Sequence, residues 1–144
     1  MFKKALLIFS LLIALTSCES DDERRNNPNL VDLNVDLQIS LNLPQFIDLN
    51  YPGNAVYVGT QGNLGIIIVN TGNNFLAWDA ADPNLLPNQN CARLEINGLN
   101  AESECEQLNV YSLVTGQPIS GENLIYPLYQ YRVVQSGDII QIYN

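Results

Sequence analysis

From Val35 to Leu43 the chain reads "VDLQISLNL", with Val35, Leu37, Ile39, Leu41 and Leu43 in one set and Asp36, Gln38, Ser40 and Asn42 in the other. Strict alternation over this stretch predicts a β-strand with one buried and one wet face, and Pro44 ends it. "YPGN" (Tyr51 to Asn54) places Pro and Gly at the central positions of a type II turn, and "AVYV" starts another short strand. "GIIIVNTGNNFLAWD" predicts a hairpin. Its Gly65–Val69 arm is apolar throughout, as in a strand buried on both faces, and Thr71 to Asn74 supply the turn. The same pattern closes the chain as "LYQYRVV", "QSGD" and "IIQIYN". No stretch sustains the helical period. Roughly six to nine short strands separated by turns predict an all-β fold, a small antiparallel sandwich or barrel. The longest unpatterned stretch is loop 80–90, beginning "AADPNLLPNQ", and such loops carry sites more often than strands do.

The N-terminal end changes the picture. "MFKKALLIFSLLIALTSC" has a basic tip (Lys3, Lys4), an apolar run from Ala5 to Leu15 and then small residues. The run is too short to span a bilayer as a stable helix and has the proportions of an export signal. "LTSC" (Leu15 to Cys18) resembles the lipobox of bacterial lipoproteins, which implies cleavage before Cys18 and acylation of that residue. Acyl chains hold a protein on a membrane without any spanning segment. The acidic "ESDDE" behind Cys18 resembles the surface-export signal of lipoproteins from the Bacteroidota. The expected organisation is therefore a signal peptide (1–17), a lipidated acidic tether (18–34) and one β domain (35–144), placed on the outer membrane and exposed at the cell surface, with a periplasm-facing placement as the alternative.

Charge narrows the partners. The chain has 15 acidic and 6 basic residues, a net charge of −9. Such a chain repels phosphate backbones, which argues against nucleic-acid binding.

Chemistry is limited by what is missing. There is no histidine, so neither a Ser-His-Asp nor a Cys-His arrangement can be built. Cys91 and Cys105 stand in a polar stretch. In an oxidising compartment an even pair of thiols is usually bridged, and the roughly 15-residue loop so closed adds on the order of 3 kcal/mol of stability. A zinc site combining the pair with Glu95, Glu102 and Glu104 is the alternative, although zinc prefers Cys and His. Thiol redox chemistry is disfavoured by the same glutamates and Glu106, which raise a thiol pKa. Asp79 and Asp82 read as strand-end and turn residues. With loop carbonyls they could instead hold a hard cation such as calcium. Trp78 lies in an apolar strand and reads as core. Tyr126 and Tyr129 are the tyrosines best placed to stack on a sugar, while Tyr131 shares a strand face with Tyr129 and Val133.

"GIIIVNTGNNFLAWDAADPN", Cys105, "YSLVTGQP" and "YPLYQYRVVQSGDIIQIYN" together resemble the Rieske-type 2Fe–2S domain family, especially its lipoprotein relatives in the Bacteroidota, over roughly residues 43–144. The resemblance implies a Rieske-like fold with Tyr111 at an aromatic core position. It also implies two cluster loops, which some members brace with a disulfide. Asp82 and Asn84 stand where the first loop would offer Cys and His, and Cys105 and Leu108 where the second would. A Rieske cluster takes two thiolates and two imidazoles, so these positions are degenerate and no cofactor is expected. The expected function is a non-enzymatic, membrane-anchored lipoprotein whose cluster-less domain is a binding or structural module with a protein or glycan partner. The alternative is an electron-transfer protein with an atypical cluster.

Overall fold

The computed structural model describes residues 26–144. The signal peptide expected at 1–17, the lipidation expected at Cys18 and the start of the expected tether lie outside the described residues. Among the described residues there are ten strands. They are β1 (Asp36–Ser40), β2 (Ala55–Val58), β3 (Ile66–Asn70), β4 (Phe75–Asp79), β5 (Glu95–Asn97), β6 (Asn100–Glu104), β7 (Leu108–Ser112), β8 (Pro118–Ser120), β9 (Gln130–Ser136) and β10 (Ile139–Tyr143). They form a six-stranded sheet of order β1-β10-β9-β4-β3-β2 and a four-stranded sheet of order β5-β6-β7-β8. Every pairing is antiparallel.

β3 sits between two cores, which is why it reads as a continuous apolar run. Ile66 and Ile68 enter one core with Ile39, Ala77, Tyr131, Ile140 and Ile142. Ile67 and Val69 enter the other with Trp78, Leu94, Tyr111 and Leu113. All four β3 side chains are fully buried, and each such burial contributes about 1.5–3 kcal/mol. The single tryptophan, Trp78, is core, and its indole N–H donates to Leu113 O at 2.8 Å. Gly53 adopts φ +89°, as the third position of a type II turn requires.

β1 is shorter than its alternation predicts. It follows β10 from Tyr143 to Ile139, and beyond Ser40 the chain turns into a 3-10 helix, Pro44–Asn50. Leu43, placed by its period on the buried face, is exposed as a result, whereas Leu49 of the helix is fully buried. The ten strands exceed the expected six to nine because the second sheet is built from strands too short and polar to show a period.

Residues 26–34, read from sequence as tether, lie along the domain as a strap. Asn27 and Asn29 each donate a side-chain N–H to Pro83 O, at 2.8 and 2.9 Å. Three further amide side chains hold the backbone that follows. Asn63 accepts from Val31 N and donates to Val31 O. Asn144 accepts from Val35 N and donates to Leu33 O, and Gln61 does the same to both groups of Asp36. The chain thus runs from the Pro83 loop to the far end of the domain, where Leu41 N reaches Asp138 O.

Candidate functional site

Asp82, Asn84, Cys91 and Cys105, singled out from sequence, meet at one end of the molecule, where loop 80–94 packs on the four-stranded sheet. Ala80 and Ala81 are fully buried and draw the chain inward as β4 ends, so Asp82 follows them into the interior. Its carboxylate is fully buried and accepts from four donors. Tyr111 OH (2.6 Å) and Asn84 N (2.9 Å) reach Oδ1. Ser103 Oγ and Asn109 Nδ2 (2.9 Å) reach Oδ2. Three of the donors come from β6 and β7, so one carboxylate joins the loop to two strands of the other sheet. A buried charge is tolerable only when hydrogen-bonded in this way.

Asn84 extends the clasp. Its Nδ2 donates to Tyr111 OH at 2.9 Å and Tyr126 O at 2.8 Å, while its Oδ1 accepts from Ile125 N and Tyr126 N. A third loop, Glu122 to Pro127, is thereby tied to the first. Cys91 and Cys105 form a disulfide with Cα atoms 5.1 Å apart, which fixes the far side of loop 80–94 to the β6–β7 turn. The pair therefore offers no thiolate for the zinc alternative. Leu108 is exposed at the start of β7.

Asp79 is the second fully buried carboxylate and serves a different group of elements. Its Oδ2 accepts from Tyr131 OH (2.6 Å), Asn63 N (2.8 Å) and Asn63 Nδ2 (2.9 Å), and its Oδ1 from Ala81 N (2.9 Å). Burial, then the hydrogen bond to Asp82, raises the Tyr111 phenol far above its usual range. Burial, then the charge of Asp79, does the same for Tyr131. Both phenols are neutral donors at any physiological pH. The turn reading of Asp79 and Asp82 missed this burial. The calcium reading fails on donors, because the carboxylate oxygens are taken up by N–H and O–H groups. Among the described residues, no cluster of three or more His, Cys, Asp or Glu side chains is placed to hold a metal ion.

A separate groove of about 520 Å³ lies away from these loops, between β4 and β9. The two strands pair at Ala77–Tyr131 and Trp78–Gln130, and Asp79 N donates to Tyr129 O at 2.9 Å. No ladder pair continues toward Leu76 and Phe75, and Phe75, Tyr129, Arg132 and Tyr143 line the opening. Tyr129, a sugar-stacking candidate, is half-buried there and meets Tyr131 edge-on with ring centroids 5.3 Å apart. Tyr126, the other candidate, is half-buried and has its backbone held in the Asn84 clasp.

A Rieske cluster does not fit these loops. The first presents Asp82 and Asn84, both engaged in protein hydrogen bonds, and the second presents a disulfide-bonded cysteine and Leu108. No imidazole exists in the chain, and such a cluster requires two.

No protein-family model matches the chain, and no curated protein does either. Among solved structures, a chain from the "Complex of reduced oxygenase and oxidized ferredoxin in carbazole 1,9a-dioxygenase" superposes with a TM-score of 0.51 at 15% identity, over 76% of this chain and 93% of that one. The ferredoxin of carbazole 1,9a-dioxygenase from Nocardioides aromaticivorans IC177 gives 0.45 at 18% identity, over 67% and 91%. At such identities the likeness concerns architecture alone: this chain has a Rieske-like β fold.

Proposed function

We propose that the protein is a lipid-anchored surface lipoprotein whose cluster-less Rieske-like domain acts by contact, as a binding or structural module, and is not an enzyme. One observation carries this reading. The loops that would hold a cluster are closed on each other by protein alone, through the Asp82 clasp and the Cys91–Cys105 disulfide. A buried, fully satisfied polar network of this kind rigidifies what it joins, so the loop end is a fixed surface without a reactive centre. The leader and the "LTSC" sequence ending at Cys18 support acylation and export to the outer membrane. The groove between β4 and β9, with partly exposed aromatic rings, an arginine and amides, supplies a concave surface for a protein or glycan partner.

Visible absorption and metal analysis of protein purified under nitrogen test the reading. A colourless protein without iron is expected. Stoichiometric iron with inorganic sulfide would overturn it in favour of electron transfer.

A further inference from the structure

The strap decides where the chain leaves the domain. β1 runs toward the Asp138 turn, but the residues before it run back to the opposite end and are fixed there. Asn27 is buried, holds Pro83 O and closes a turn in which Leu30 N donates to Asn27 O. Any attachment at Cys18 therefore pulls on the domain at the Pro83 loop, beside the Asp82 clasp, and not at β1.

We propose that, with the chain held at Cys18, the Asp82 loop end of the domain faces the lipid surface, with Leu86 and Ile125 against it, and the β9–β10 turn points away. The proposal rests on the reading of Cys18 as the lipidated residue.

Reach and surface chemistry support it. Only residues 19–26 separate Cys18 from Asn27, and at full extension they cover about 30 Å. A compact unit of this length is roughly 35 Å across. Turning the domain over would need the tether stretched along its whole flank. Meanwhile the end nearest the anchor carries exposed apolar side chains close to the fixed point. Ile125 is 76% exposed, the most of any large hydrophobic residue among those described, and Leu86 is 52% exposed. They flank Asn84, which follows Pro83 and accepts from Ile125 N at 2.8 Å. Aliphatic side chains at such a position gain by moving from water to a lipid interface. The opposite end carries the polar "QSGD" turn, and the apolar side chains near it, Leu43 and Val134, are less exposed, at 44% and 49%. Glu106 and Glu122, exposed near the loop end, oppose anionic headgroups, so the surface that fits is zwitterionic.

The test uses the full-length protein extracted from membranes, with mass spectrometry of the Cys18 peptide. It is reconstituted into phosphatidylcholine vesicles carrying a headgroup quencher. Ile125→Cys, Leu86→Cys and Ser136→Cys each add one free thiol for a fluorophore, since Cys91 and Cys105 are bridged. Labels at 125 and 86 are expected to be quenched several times more strongly than the label at 136. Asn27→Ala with Asn29→Ala, placed in the Ile125→Cys protein, should reduce that excess. Equal quenching at all three positions, or stronger quenching at 136, overturns the orientation while leaving lipid attachment standing. An unacylated Cys18 overturns the lipid reading and the orientation with it.

Discussion

Replacing Asp82 by alanine tests the clasp most directly. The substitution strips the acceptor from Tyr111 OH, Ser103 Oγ, Asn109 Nδ2 and Asn84 N. Three of these donors sit on buried residues, with Ser103 1%, Tyr111 0% and Asn109 7% exposed. A buried donor left unsatisfied costs about 1–3 kcal/mol. Water entering the vacated space and rotation of the hydroxyls recover part of that, so the net loss expected is about 4 kcal/mol. Against a typical total of about 5–15 kcal/mol, this is a large fraction. Asp82→Asn should behave differently. Its carbonyl can replace Oδ1 for Tyr111 and Asn84, while its amide faces Ser103, which can turn to accept, and Asn109, which can flip. The expected loss is about 1–2 kcal/mol. Urea unfolding followed by Trp78 fluorescence reads both variants, with the alanine midpoint lowered by about 2 M. An alanine variant within about 1 kcal/mol of the parent, or an asparagine variant equally damaged, would refute the argument.

Three more outcomes are expected. Cys91→Ser with Cys105→Ser should lower unfolding stability by about 3 kcal/mol, and alkylating the unreduced parent should leave the mass of the Cys91 and Cys105 peptides unchanged. Gly116→Ala should displace Trp78 and weaken its near-ultraviolet dichroism. Gly116 has φ +73°, and an added Cβ would lie 2.6 Å from the indole ring; the left-handed conformation alone costs about 1–2 kcal/mol. Alkali should unfold the protein through its phenols. Tyr111 and Tyr131 have folded pKa values raised above the ordinary 10.0, so their contribution is complete below that pH and is lost as pH climbs beyond it. A tyrosinate titration in which Tyr111→Phe and Tyr131→Phe remove only late-ionising groups would bear this out; loss of early-ionising groups would contradict it.

What the sequence made legible follows from range. Alternation in β1 and the two hairpins, β3–β4 and β9–β10, depends on neighbours a few residues apart, and all three elements form. The burial of Asp82 depends on Ser103, Asn109 and Tyr111, which lie 21, 27 and 29 residues away. No local pattern encodes that meeting. The signal nearest to it was the pair Ala80–Ala81, two small apolar residues ahead of a supposed surface turn. The strap escaped for a related reason. A polar segment following charge reads as solvated chain, and the partners that hold it are isolated amides scattered over 61–144. The β5–β8 sheet was hidden because β5 and β8 have three residues each, too few to show a period, and β6 reads "NAESE", with too little apolar character to mark a face.

The strap also differs from most ways of tying a chain end to a protein. Asn63, Gln61 and Asn144 each offer a backbone segment an acceptor and a donor, imitating a neighbouring strand with side chains. None of these groups ionises between acid and alkaline extremes, and none of the contacts is an ion pair for salt to screen. These amide-to-backbone contacts should therefore be indifferent to brine or acidity outside a cell; the carboxylates of Asp32 and Asp36 add further contacts, accepting from Tyr129 OH, Asn144 Nδ2 and Gln141 Nε2. A clasp built from lysines and glutamates would loosen under both.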